Sequence, residues 1–102
     1  MSKHYILDEQ HNPVPVDAMT WARWFEGDNR RVAWTDLPNG AQVSTVFLGL
    51  DHSWGMGEPL LFETMIFGGP HDEYQERYST WAEAEAGHAR AVELASTQPA
   101  EK

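Results

Sequence analysis

Three segments built for β-structure constrain this chain more than any other feature. Residues 30–37, 41–50 and 60–67 are rich in β-branched, aromatic and aliphatic side chains, and Pro38-Asn39-Gly40 joins the first two. An Asn-Gly pair between apolar segments is a strong hairpin signal, because both residues tolerate positive φ. Side chains alternate across a strand. Val43, Thr45 and Phe47 therefore share one face of the second segment, opposite Val46, Leu48 and Leu50. In the third, Leu60, Phe62, Thr64 and Ile66 oppose Leu61, Glu63, Met65 and Phe67. The result is an antiparallel sheet with apolar groups on both faces.

Two helices flank these strands. Asp17 is an N-cap for a helix over 18–26, with an apolar stripe of Ala18, Trp21, Ala22, Trp24 and Phe25 and a stop at Gly27. Thr80-x-x-Glu83 is a capping box, and Trp81, Ala84, His88, Ala91, Val92 and Ala95 recur at helical spacing over 81–96. Tyr5-Ile6-Leu7 starts a short strand. Pro13 and Pro15 make 11–16 a turn that pairs poorly with a sheet. Gly68-Gly69-Pro70 ends the third long strand, 71–76 is a polar excursion, and Arg77-Tyr78-Ser79 returns as a short edge strand. The expected fold class is α+β: a mainly antiparallel sheet of three to five strands with two helices packed on one face. One domain covers 1–95, and 96–102 forms a flexible C-terminal tail.

Charge and composition narrow the function. Asp and Glu number 16 against 7 Lys and Arg, a net charge of −9. Such a surface repels nucleic acid and anionic membranes and favours a basic protein partner. There are 0 cysteines, which removes disulfides, thiolate catalysis and Cys-based zinc sites. The first residues hold no apolar signal region, and no apolar run reaches the ~18 residues of a membrane span. The expected location is the cytoplasm.

The blocks 44-STVFLGLDHSWGMGEPLLFETMIFGG-69 and 77-RYSTWAEAEAGHARAV-92 resemble a family of small uncharacterised proteins of bacteriophage and prophage genomes, actinobacterial ones especially. The resemblance runs from about Tyr5 to Val92. It implies a phage accessory protein acting in the host cell. It brings no fold, activity or catalytic residue with it.

Asp51, His52 and Glu63 are the residues that invite a metal or acid/base reading. Their alternative roles are structural: Asp51 caps a turn, and Glu63 pairs with Arg30, Arg31 or Arg77. His71 falls at the far end of the strand from Asp51 and His52. Contiguous Asp51-His52-Ser53 cannot form a relay, because adjacent strand residues point apart. Gly55-Met56-Gly57 lacks the GK[ST] and following helix of a phosphate loop. No metal and no cofactor are therefore expected. His88, on the apolar stripe of the second helix, reads as a core histidine bonded to a backbone carbonyl.

Trp54 and Met56 lie at the tip of the glycine-rich loop, either folded back over the core or standing out as a binding anchor. Together with the acidic residues Asp72, Glu73 and Glu76 they are the expected contacts for a host protein. An acidic surface of this kind is read as protein-binding rather than as an imitation of nucleic acid. A homodimer is also expected, through Val43, Phe47, Met65 and Phe67 if they share an uncovered face. The rival functional readings are a small metal- or acid/base-dependent enzyme centred on Asp51, His52 and Glu63, and a structural or housekeeping phage component without a host target.

Overall fold

The computed structural model describes residues 3–27, 30–55 and 57–97. Six strands and two helices follow in the order β1 (His4–Leu7), β2 (Pro13–Val16), α1 (Ala18–Glu26), β3 (Arg31–Asp36), β4 (Gln42–Phe47), β5 (Phe62–Phe67), β6 (Gln75–Tyr78) and α2 (Trp81–Ser96). Strands β3-β4-β5-β6 form an antiparallel four-stranded sheet, and β1 and β2 form a separate antiparallel pair. The fold is α+β.

Local chemistry explains the elements. Asn39 closes the β3–β4 hairpin by accepting the Ala41 amide at 2.9 Å, and Gly40 takes φ 91°. Thr80 and Glu83 complete the capping box of α2: the Glu83 amide donates to Thr80 Oγ1 at 3.1 Å, and the Thr80 amide to Glu83 Oε1 at 3.2 Å. Asp17 accepts the Thr20 amide at 2.8 Å and starts α1. At the other end of α2, Ser96 belongs to the helix, and Thr97 Oγ1 donates to the Leu94 carbonyl at 2.7 Å. The helix thus runs over 81–96 as its spacing predicts, and residues 98–102, most of the expected tail, lie outside the described residues.

The segment 13–16, expected as a turn, is strand β2, with Leu7 opposite Pro13 and Tyr5 opposite Pro15. The two prolines stand two residues apart, so both missing N–H groups fall on the edge turned away from β1, where a strand tolerates proline. The hairpin is tied to the body at both of its ends. Beyond Phe47 the chain runs on beside β1: the Tyr5 amide donates to the Gly49 carbonyl at 2.8 Å, and the Asp51 amide to the Lys3 carbonyl at 3.2 Å. At the hairpin's tip, the His11 ring stacks on Trp81 at 3.8 Å and 8°.

One face of the large sheet carries the core. Val43, Thr45 and Phe47 of β4 lie opposite Ile66, Thr64 and Phe62 of β5, and all six are 0% exposed. Helix α2 covers them with Ala84, Gly87, His88, Ala91 and Ala95. Helix α1 reaches the same face at one end, where Trp24 and Phe25 meet Phe47 at 5.6 and 6.2 Å. Phe47 and Phe62 meet at 5.1 Å, and Phe62 meets Trp81 at 6.2 Å, so one aromatic chain links both helices through the sheet. Each fully buried aliphatic or phenyl side chain contributes about 1.5–3 kcal/mol.

The expected dimer residues therefore divide. Val43 and Phe47 are sealed beneath the helices, whereas Met65 and Phe67 lie on the opposite face. No element among the described residues covers that face, and its register forms three rows across the strands. At one end stand Arg31, Val46, Glu63 and Arg77. In the middle stand Trp34, Ser44, Met65 and Gln75, and at the other end Asp36, Gln42 and Phe67.

Gly87 lies in α2 where a Cβ would fall 2.1 Å from the Tyr78 hydroxyl. Alanine normally stabilises a helix by ~1 kcal/mol over glycine. Here overpacking, typically ~1–3 kcal/mol, outweighs that gain. Gly87→Ala is expected to lower stability by up to about 2 kcal/mol, read from the urea midpoint, against the helix-propensity trend.

Candidate functional site

The chain between β4 and β5 is a braced loop. Asp51 Oδ1 accepts the Ser53 amide at 2.8 Å and the Leu60 amide at 3.1 Å, which joins the two ends of the loop. Ser53 is buried, and its hydroxyl accepts the Gly55 amide at 3.3 Å. The His52 amide donates to the Leu60 carbonyl at 3.0 Å. Burial pushes the Asp51 carboxyl up, but the Ser53 and Leu60 amides, helped by the Ser53 side chain and the nearby His52, hold it below the ordinary carboxylate range. The sequence expectation that Asp51 caps the turn is the one the structure meets.

This bracing presents Trp54. The residue is 89% exposed and its backbone takes φ 59°. Of the two arrangements open to Trp54 in the sequence, the folded-back one is therefore corrected: the indole stands out. Positive φ is a genuine outlier for a bulky residue. Gly55 and Gly57 also take positive φ, at 77° and 87°, and a Cβ at either would meet nothing within 4 Å. The glycines thus serve loop conformation and not close packing. Met56 lies outside the described residues. Below Trp54 opens a groove of about 600 Å³, lined by Lys3, Leu50, Asp51, His52, Trp54 and Gly55. Asp51 Oδ2 takes no hydrogen bond among the described residues.

The acidic residues proposed as contacts do not join Trp54. Asp72 and Glu73 follow the far end of β5, ~20 Å along the strand from the loop at 3.3 Å per residue. Asp72 Oδ1 accepts the Gly68 amide at 2.7 Å and closes its own turn. Glu73 takes φ 75° in that turn. Glu76 is used internally: Oε1 accepts the Tyr74 hydroxyl at 2.8 Å and the Tyr78 hydroxyl at 3.3 Å, and pairs with Arg90 at 3.5 Å. Burial, with Glu76 as hydrogen-bond partner and neighbouring charge, pushes the Tyr74 phenol up to about 12.

The metal or acid/base set is separated in the same way. Glu63 lies within β5 on the open face, hydrogen-bonded by Gln75 and paired with Arg77 at 3.1 Å. Its partner is thus one of the three arginines expected. Among the described residues no three His, Asp or Glu side chains converge at metal-ligand spacing. His71 lies in the turn beyond β5 with Asp72.

His88 bonds differently from the expectation of a carbonyl partner. Nδ1 meets Thr45 Oγ1 at 2.7 Å, Nε2 meets Thr35 Oγ1 at 2.9 Å, and Thr45 Oγ1 meets Thr64 Oγ1 at 2.6 Å. Threonines on two neighbouring strands thus satisfy one buried imidazole, and Thr64 on the next strand joins through Thr45. The signal for this was present: Thr45 and Thr64 interrupt the apolar face of their strands. Trp34 lies in β3 opposite Ser44. It is 39% exposed on the open face, with Arg31 5.0 Å above its ring.

No helix among the described residues is long and apolar enough to cross a membrane. Comparison with protein-family models, curated proteins and solved structures found no match.

Removing the loop's brace has a defined outcome. Asp51→Ala strips two amides of a charged acceptor. The Ser53 and Leu60 amides are expected to exchange with solvent at least about tenfold faster, for a stability loss of about 1–2 kcal/mol. Hydrogen exchange read by NMR checks it.

Proposed function

We propose that this chain is a small acidic phage accessory protein that acts in the host cytoplasm by binding a host protein, with Trp54 as the anchor, and that it performs no catalysis. The observation that carries the reading is an indole 89% exposed, in a strained backbone conformation, on a loop braced by Asp51. Strain of ~1–3 kcal/mol persists where surrounding structure enforces it, and it concentrates at binding sites. Tryptophan is also the side chain most enriched among residues that dominate binding energy.

The partner's chemistry follows from the surroundings. Asp51 lines the groove below Trp54, and Glu58 is exposed in the same loop, on a chain of net charge −9. An Arg or Lys side chain would combine a cation–π contact with a carboxylate pair there. The overall charge would speed encounter with such a basic surface. The phage assignment rests on the resemblance of the 44–69 and 77–92 blocks. The non-catalytic reading is supported by the other duties of the would-be catalytic groups: Asp51 braces the loop and Glu63 holds Arg77.

The test is affinity capture from host lysate at low salt with the wild-type chain and with Trp54→Ala and Trp54→Gly. A retained host protein is expected to bind at least about 30-fold more weakly to both variants, the loss typical of an anchor worth ~2 kcal/mol. Trp54→Gly, which suits positive φ, should keep stability within ~1 kcal/mol of wild type. Capture unaffected by either variant, or no specific capture at all, contradicts the proposal. The second result favours a phage component without a host target, and a stoichiometric bound metal in elemental analysis would instead favour the enzyme.

A further inference from the structure

We propose that the chain dimerises through the open face of its four-stranded sheet, two copies stacking face to face about a two-fold axis that runs across the strands. The face is apolar at its centre and one end: Trp34 is 39% and Phe67 42% exposed, with Val46 and Met65 half-buried beside them. Its charge differs in kind from the rest of the surface. Arg31 and Arg77 balance Asp36 and Glu63, whereas the chain as a whole carries −9. Elsewhere two copies repel each other; here they do not.

The register selects the axis. Arg31 and Asp36 occupy opposite end rows of β3, and Trp34 lies between them. An axis across the strands lays each end row over the other. Arg31 then faces the partner's Asp36, the same pair recurs by symmetry, and Trp34 and Met65 meet their own copies at the centre. An axis along the strands would set Arg31 against the partner's Arg77, a like-charge contact. The surface is preorganised for the first arrangement. Trp34 Nε1 donates to Asp36 Oδ2 at 3.1 Å, Gln42 Nε2 donates to Asp36 Oδ1 at 3.1 Å, and Arg31 stacks on the Trp34 ring. The patch spans ~19 Å across four strands and ~20 Å along them. That is about 380 Å² a side, below the size of a stable interface, so the dimer is a weak one in equilibrium with monomer.

Sedimentation equilibrium over rising concentration reads the result. Wild type is expected to move from the mass of one chain toward two. Arg31→Asp places like charges in both symmetric pairs and should weaken association at least about tenfold, as should Asp36→Arg. The double variant Arg31→Asp/Asp36→Arg restores the pairing and should recover most of it. Both substituted positions are exposed, and circular dichroism confirms that each variant keeps its fold. A wild-type chain that stays monomeric throughout overturns the proposal. So does a dimer indifferent to the single reversals, a double variant no better than the singles, or a dimer lost only with Trp54→Ala.

Discussion

Gly49→Ala is expected to cost about 2–4 kcal/mol, one of the two largest losses of any single substitution considered for this chain. Gly49 takes φ 74°, where an L side chain is strained. A Cβ there would fall 2.5 Å from Phe25 Cζ and 2.6 Å from Trp21 Nε1. Both rings belong to α1, and both are held from behind. Trp21 meets His4 at 5.3 Å, and Phe25 meets Phe47 at 6.2 Å. The Gly49 carbonyl also accepts the Tyr5 amide that attaches β1. Displacing α1 therefore loosens the N-terminal hairpin as well. Urea denaturation should show the loss, and amide exchange should show it centred on residues 4–26. A loss under about 0.5 kcal/mol would mean that α1 is not packed as described.

The second large effect belongs to His88. His88→Ala removes a buried ring and takes a partner from each of the Thr35 and Thr45 hydroxyls, at an expected cost of about 2–4 kcal/mol. Wild type should also carry a pH signature. Burial lowers the His88 pKa from its ordinary value, so the unfolded chain binds the proton more readily than the folded one. The contribution of neutral His88 is fully present above the unfolded value of ~6.5 and is lost progressively as pH falls from there toward the folded value. Urea midpoints at pH 7.5 and pH 5 should diverge more for wild type than for His88→Gln. Equal divergence would assign the acid sensitivity to other groups.

Local sequence chemistry accounts for most of the fold. Asn39-Gly40, the Thr80–Glu83 capping box and Asp17 each act within a few residues, so the hairpin and both helices can be read directly. Strand β2 was hidden because its prolines matter only through which edge they face, and the position of β1 decides that. The division of the sheet faces was equally non-local. Alternation separates Val43 and Phe47 from Val46, but only the packing of α2 shows which set is sealed.

The site was legible in part. Asp51 as a turn cap and Glu63 as a partner of Arg77 follow from residue type and strand position. The outward Trp54 does not, because its φ depends on a brace from Leu60, nine residues beyond Asp51. Asp72 and Glu73 stand apart from Trp54 for a geometric reason. The full length of β5 separates the loop from the turn after Phe67 that holds Asp72 and Glu73, whereas Glu76 has returned along β6 to a position opposite Thr64.

Trp54 as a displayed, partner-contacting anchor is most directly tested by fluorine NMR of the chain labelled with 5-fluorotryptophan. The five tryptophans give five resonances, and Trp54→Phe identifies one of them. In the free protein the Trp54 resonance should show the largest shift between light and heavy water, with Trp34 next. On titration with the captured host protein, the Trp54 resonance should move or broaden first. A solvent-shielded Trp54, or a titration that perturbs Trp34 and leaves Trp54 unchanged, would contradict the assignment of the loop as the binding site.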